Sequence, residues 1–123
     1  MPDVDPEAPV APGPLLPLVL LVAVGGVLGS LARWALTEAF PGLGTTLGIN
    51  VVGSFALGLL VGLRPHGRLS RPFLGTGVLG GFTTFSALAV QTVDASRGTA
   101  VAYLAGTLVL GTAAAALGLR VAR

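Results

Sequence analysis

Between Leu15 and Leu119 this chain is almost wholly four long apolar stretches joined by short polar connections. They cover about Leu15–Leu36, Thr45–Leu63, Phe73–Val93 and Thr99–Leu119. Each is close to the roughly 20 residues that an α-helix needs to cross a bilayer. A backbone in hydrocarbon must satisfy its own polar groups, so stretches of this kind fold as spanning helices. Hydrophobic residues make up 53% of the 123 and charged ones only 10%, where an ordinary soluble domain has about a quarter charged. The chain therefore reads as an all-α, four-transmembrane-helix protein with one domain over residues 15–119 and no room for a soluble catalytic domain.

The ends and connections carry nearly all the charge. Residues 1–14 hold Asp3, Asp5, Glu7 and five prolines (Pro2, Pro6, Pro9, Pro12 and Pro14), the composition of a disordered tail. An acidic start is the wrong sign for a secretory signal, so the first span is expected to stay in the mature protein. Residues 120–123 form a basic C-terminal end. There is no cysteine and one histidine, His66, which lies among arginines in a connection and is given no ligand role. All the positive charge is arginine. A sequence pI near 10.5 would suggest nucleic acid in a soluble protein, but here the arginines stand at span ends, where they set topology and meet headgroups. Membrane lipid is expected as a partner and nucleic acid is not. Four spans put both termini and the second connection on one side, with Arg64, Arg68, Arg71, Arg120 and Arg123; the other side has Arg33 and Arg97. By the positive-inside rule both termini are cytoplasmic, in a multi-pass protein of the cell's inner (plasma) membrane.

The polar residues inside the spans bear on function. Gly80-Gly81-Phe82-Thr83-Thr84-Phe85-Ser86 interrupts the third span with adjacent glycines and hydroxyls, a poor recipe for continuous helix. Irregular backbone at membrane depth survives only where protein or a water-filled cavity satisfies it. On the second span Thr46, Asn50 and Ser54 recur every fourth residue and form one stripe, which Gly58 and Gly62 continue without side chains. An asparagine in hydrocarbon needs a partner, and either interhelical glue or an ion pathway explains Asn50. Gly25 with Gly29, and Gly26 with Ser30, suit close packing of the first span, whose far interface is marked by Arg33 and Trp34. Tyr103 and Thr107 lie one turn apart on the fourth span, and 111–116 is nearly all small residues.

The stretch Gly80 to Ser86 resembles the signature of the fluoride ion channels called Fluc or CrcB. Three further features fit in order: Gly29 to Arg33 as Gly-x-x-x-Arg, Gly44 to Asn50 as Gly-Thr-Thr-Leu-x-x-Asn, and Gly53-Ser54-Phe55. The resemblance covers about Leu15 to Leu119. It implies an antiparallel (dual-topology-type) dimer of four-helix subunits with a broken third helix and two fluoride pathways along the interface. Fluoride would leave the cytoplasm passively, down its electrochemical gradient. The resemblance also implies one structural Na+ at the dimer centre, held by the backbone carbonyls of Gly80 and Thr83. Carried over by position, the pathway residues are Asn50, Phe85, Tyr103, Thr107 and Thr46. The hydroxyls of Thr84 and Ser86 and the ring of Phe82, which packing beside the break explains as well, belong to the same group. An amide donates to an anion, a ring presents its positive edge, and such groups replace the water that fluoride sheds. Arg33 is either a vestibule attractor or an interfacial anchor.

Two departures stand out. Leu88 replaces a second phenylalanine and Gln91 replaces a glutamate of the usual pattern, so one ring station is missing. The uneven arginine count also favours a fixed orientation, and with it a partner that is either a second copy or an oppositely inserted paralogue. A small multidrug transporter is a rival four-helix reading, but it needs a membrane-embedded carboxylate that Leu15 to Leu36 lacks. A purely structural subunit leaves the hydroxyls at the break unexplained. An enzyme is excluded because no nucleophile, base and orienting group can be assembled.

Overall fold

The structure, a computed structural model, describes residues 15–64 and 69–123. The expected tail over residues 1–14, and His66 and Arg68, lie outside the described residues. Four helical spans are long and apolar enough to cross a membrane. Helix α1 is Leu15–Ala39 and α2 is Leu43–Leu63. The third span begins with α3, a π-helical stretch Pro72–Leu79 that runs into a single α-helical turn, Gly80–Phe82. It resumes as α4, Phe85–Asp94, and α5 is Arg97–Val121.

Local chemistry sets these limits. Thr37 Oγ1 donates to the carbonyls of Arg33 and Trp34, at 3.1 and 2.9 Å, and carries α1 through the interface to Ala39. Gly42, at φ 129°, makes the turn into α2 that a side chain would strain. Ser96 caps α5 by accepting the Thr99 N–H at 3.4 Å.

The third span breaks at two extended residues, Thr83 (ψ 154°) and Thr84 (ψ 123°). Thr84 then serves as N-cap of α4, its hydroxyl accepting the Ala87 N–H at 3.2 Å. Before the break the helix is wound one residue wider than an α-helix, with the Gly80 N–H donating to the Gly75 carbonyl.

The spans pack as two pairs of alternate helices, α1 with α3 and α2 with α5, whereas α1 and α2 touch little despite their short connection. Both pairs run parallel, because Gly25 faces Phe73 and Gly77 while Gly29 faces Val78 and Phe82. In the other pair Ser54 faces Gly111 and Gly58 faces Ala115. Backbones meet directly. A Cβ on Gly29 would collide with the Val78 carbonyl, and one on Gly81 with the Gly26 carbonyl. In α2 and α5, Gly58 and Gly118 abut the carbonyls of Ala115 and Phe55 in the same way. This is the small-residue packing by which helices associate without a hydrophobic drive. Outside it, Val19, Leu20, Val24, Val27, Leu28 and Leu31 of α1 point away from the protein, as lipid-facing residues do.

The centre is unusually polar. Among the described residues Ile49, Leu88 and Tyr103 are the buried apolar side chains of the core, and Thr46, Asn50 and Thr107 are buried as well.

Gly29→Ala is expected to lower the thermal midpoint of the purified chain in detergent, since overpacking against fixed backbone costs about 1–3 kcal/mol. Gly48→Ala is expected to leave the midpoint unchanged or raise it, because nothing lies within 4 Å of its Cβ position. Equal midpoints for the two variants would count against backbone-to-backbone packing.

Candidate functional site

The break is held by one side chain. Asn50 Nδ2 donates to the Thr84 carbonyl at 2.9 Å, and the Thr84 N–H donates to Asn50 Oδ1 at 2.8 Å. A side-chain amide thus pairs with a backbone residue as a strand neighbour would, and satisfies both backbone groups of an extended residue. Asparagine suits the position because it carries donor and acceptor on one short fork. With two N–H groups on Nδ2, the amide keeps one donor beyond this pairing.

The carbonyls that the break releases have different fates. Gly81 O accepts Arg33 Nε at 3.1 Å and Ser30 Oγ at 3.4 Å. Leu79 O accepts both the N–H and the hydroxyl of Thr83, each at 3.0 Å. Among the described residues no side-chain or loop hydrogen bond ends on the carbonyls of Gly80 or Thr83, and Gly80 is exposed. Free carbonyls of an unwound segment are the donor set that suits a hard monovalent cation. No group of three or more His, Cys, Asp or Glu side chains stands together among the described residues, so side-chain carboxylates would take no part.

A groove of about 390 Å³ runs beside the break and opens to the outside of the subunit. Asn50, Gly80, Thr83, Thr84, Phe85 and Thr107 are in its wall. Phe85 stands at the rim with 78% of its surface exposed, so its ring has no covering within one chain. Thr107 is buried and its hydroxyl donates to the Tyr103 carbonyl at 2.8 Å. Ser86 is exposed, with its hydroxyl 3.2 Å from that of Thr84.

Other expected residues lie outside the groove wall. Thr46 and Tyr103 are buried one turn before Asn50 and Thr107, and their hydroxyls share a hydrogen bond. Tyr103 Oη donates to Gln91 Oε1 at 2.6 Å. Phe82 is half-buried against Gly53. Arg33 binds the break and also lines a separate hollow on α1 with Ser30, Trp34 and Thr37. Leu88, where the resemblance would have a ring, is buried in the core.

Two contacts give polar residues roles that sequence reasoning missed. Ser30 shares the Gly81 carbonyl with Arg33; the three-residue spacing of this pair on one helical face was the available signal. Gln91 receives the Tyr103 hydroxyl, a contact between separate helices that no local spacing announces.

Residues 20–119 match the family model described as CrcB-like protein, Camphor Resistance (CrcB). The chain is 52% identical over 101 residues to the protein named Fluoride-specific ion channel FluC 1 of Rhodococcus jostii (strain RHA1), covering 82% of each chain. It is 49% identical to Fluoride-specific ion channel FluC of Paracoccus denitrificans (strain Pd 1222), over 85% of this chain and 93% of the relative. To a protein of that name from Thermus thermophilus it is 46% identical, over 82% of this chain and 91% of the relative.

Asn50→Leu is expected to destabilise the fold strongly, since it leaves the Thr84 N–H and carbonyl unpaired, each at about 1–3 kcal/mol. Asn50→Asp keeps the acceptor but sets an oxygen against the Thr84 carbonyl, and is expected to melt lower at neutral pH than at pH 4, where the carboxyl can donate. Thermal melts at the two pH values check both.

Proposed function

Because this chain belongs to the CrcB-like family, we propose that it forms a fluoride-selective passive channel that lets cytoplasmic fluoride leave the cell. The observation that carries the reading is the open groove at the break, with Asn50 and Phe85 in its wall. Half a conduit on one subunit is what an ion path along an interface requires.

The other half comes from a second subunit inserted antiparallel, whose matching face covers Phe85 and closes the groove. Fluoride then moves through a dry slot, replacing hydration with the remaining Asn50 N–H, the hydroxyls near the break and the edge of the Phe85 ring. A carboxylate at position 50 would repel it. Net movement follows the membrane potential and the fluoride gradient; no chemical step is involved.

At the dimer axis the two breaks would hold one Na+ between the carbonyls of Gly80 and Thr83. The support is the fate of the carbonyls: Gly81 and Leu79 accept side-chain donors, while these two accept none from a side chain or loop. Arg33 acts as the donor that keeps the Gly81 carbonyl turned away. The ion supplies positive charge at the meeting of two broken helices.

Both termini face the cytoplasm in the preferred insertion. One observation favours a second reading of the partner: the arginine imbalance, five against two, suits a fixed orientation and an oppositely inserted paralogue.

Fluoride efflux from liposomes containing the chain alone, with chloride as control anion, is expected to be fast and fluoride-selective, and to fall about a hundredfold or more in Phe85→Ala, given a few kcal/mol for a lost anion contact. Absence of flux from well-folded chain would favour the paralogue, and equal chloride flux would sink the fluoride reading. Replacing Na+ by a bulky organic cation is expected to lower the thermal midpoint of the wild type; an unchanged midpoint would count against the sodium site.

A further inference from the structure

Helices α2 and α5 face each other in rungs four residues apart. Thr46 meets Tyr103, Asn50 and Thr107 share the groove wall, and Ser54 meets Gly111. At the next rung Gly58 abuts the Ala115 carbonyl and the helices close. Ser54 is therefore the last polar side chain of the stripe before the packed end.

Hydroxyls inside helices ordinarily donate to the carbonyl four residues back. Thr37, Thr83, Thr92, Thr107 and Thr112 all do so here. Among the groove-lining hydroxyls, those of Thr83, Thr107 and Thr112 are engaged in this way, and Thr84 is engaged with Ser86 and the Ala87 N–H. Ser54 lines the same groove, is half-buried, and has no hydrogen-bond partner among the described residues. Opposite it stands a glycine: a Cβ on Gly111 would lie 3.5 Å from Ser54 Oγ, so no side chain fills the space the hydroxyl faces. Among the described residues no buried side-chain N or O atom lacks a partner, so the unpaired Ser54 hydroxyl reaches the open groove with its donor unspent. A donor offered to a groove at membrane depth is placed to meet what the groove carries.

We propose that Ser54 is a further anion-donor station, whose free O–H hydrogen-bonds the permeating ion one helical turn beyond Asn50. This rests on the fluoride reading above. It extends the path past the break, about 6 Å along α2, and makes Ser54 a pathway residue instead of a packing residue. The donor suits fluoride more than chloride: a lone O–H can approach a small, hard anion closely, and it balances more of that ion's lost hydration.

The chain has no cysteine, so Ser54→Cys carries a single thiol that reports accessibility without reference to flux. In chloride-free proteoliposomes that thiol is expected to react with Ag+, and fluoride but not nitrate is expected to slow the reaction. Ser54→Ala is expected to melt and elute like the wild type yet to pass fluoride about tenfold more slowly, the worth of one hydrogen bond. Fluoride efflux in Ser54→Ala within twofold of wild type would overturn the proposal and leave the channel standing. So would a Ser54→Cys thiol that resists Ag+ while that of an exposed control, Ser96→Cys, reacts. Wild-type flux that is equal for fluoride and chloride would sink the fluoride reading and this station with it.

Discussion

The paired hydrogen bonds between Asn50 and Thr84 hold the rest of the site in place. They turn an interruption in a membrane helix, which by itself exposes polar backbone to hydrocarbon, into a satisfied two-residue strand lying against α2. Once Thr84 is fixed, its hydroxyl caps α4, Phe85 is presented at the rim, and the carbonyl of Thr83 is left free. Removing the amide would disturb all of these together, because they follow from a single backbone geometry.

The second constraint is the closeness of the backbones. Glycines at 25, 29, 77 and 81 bring α1 and α3 together until carbonyls lie where Cβ atoms would stand, and only at that distance does Arg33 reach Gly81. Packing and polar chemistry are thus one arrangement: the small residues set the separation, and the separation decides which carbonyls find donors. The pair α2 and α5 repeats the logic, with its polar rungs at one end and its glycine contacts at the other.

Much of this was legible in the residues. Hydropathy alone marks four spans, and the glycine pair with its hydroxyls marks the third as broken, because neither feature needs a partner to be read. Asn50 announced itself by the cost of burying an amide. Its partner Thr84, 34 residues away, did not, since the pairing depends on where α2 meets the break. Nor did the pairing of alternate helices: small residues occur on every span, so spacing cannot say which glycine faces which. The π-winding of Pro72–Leu79 and the Tyr103–Gln91 contact were hidden for the same reason. Arg33 read equally as an anchor or an attractor, and its bond to Gly81 adds a task that one helix cannot display.

The pairing of alternate helices also has a consequence for how the chain is made. A nascent chain emerges in order, yet α1 finds its packing surface only when α3 is in the bilayer, and α2 must wait for α5, the last of these helices to emerge. For much of synthesis two glycine-lined faces stand bare in lipid, and the polar stripe around Asn50 has no helix to cover it. Contacts so far apart in sequence close late. The four spans therefore close in two steps, α1 with α3 and later α2 with α5, and the second step also covers the polar centre.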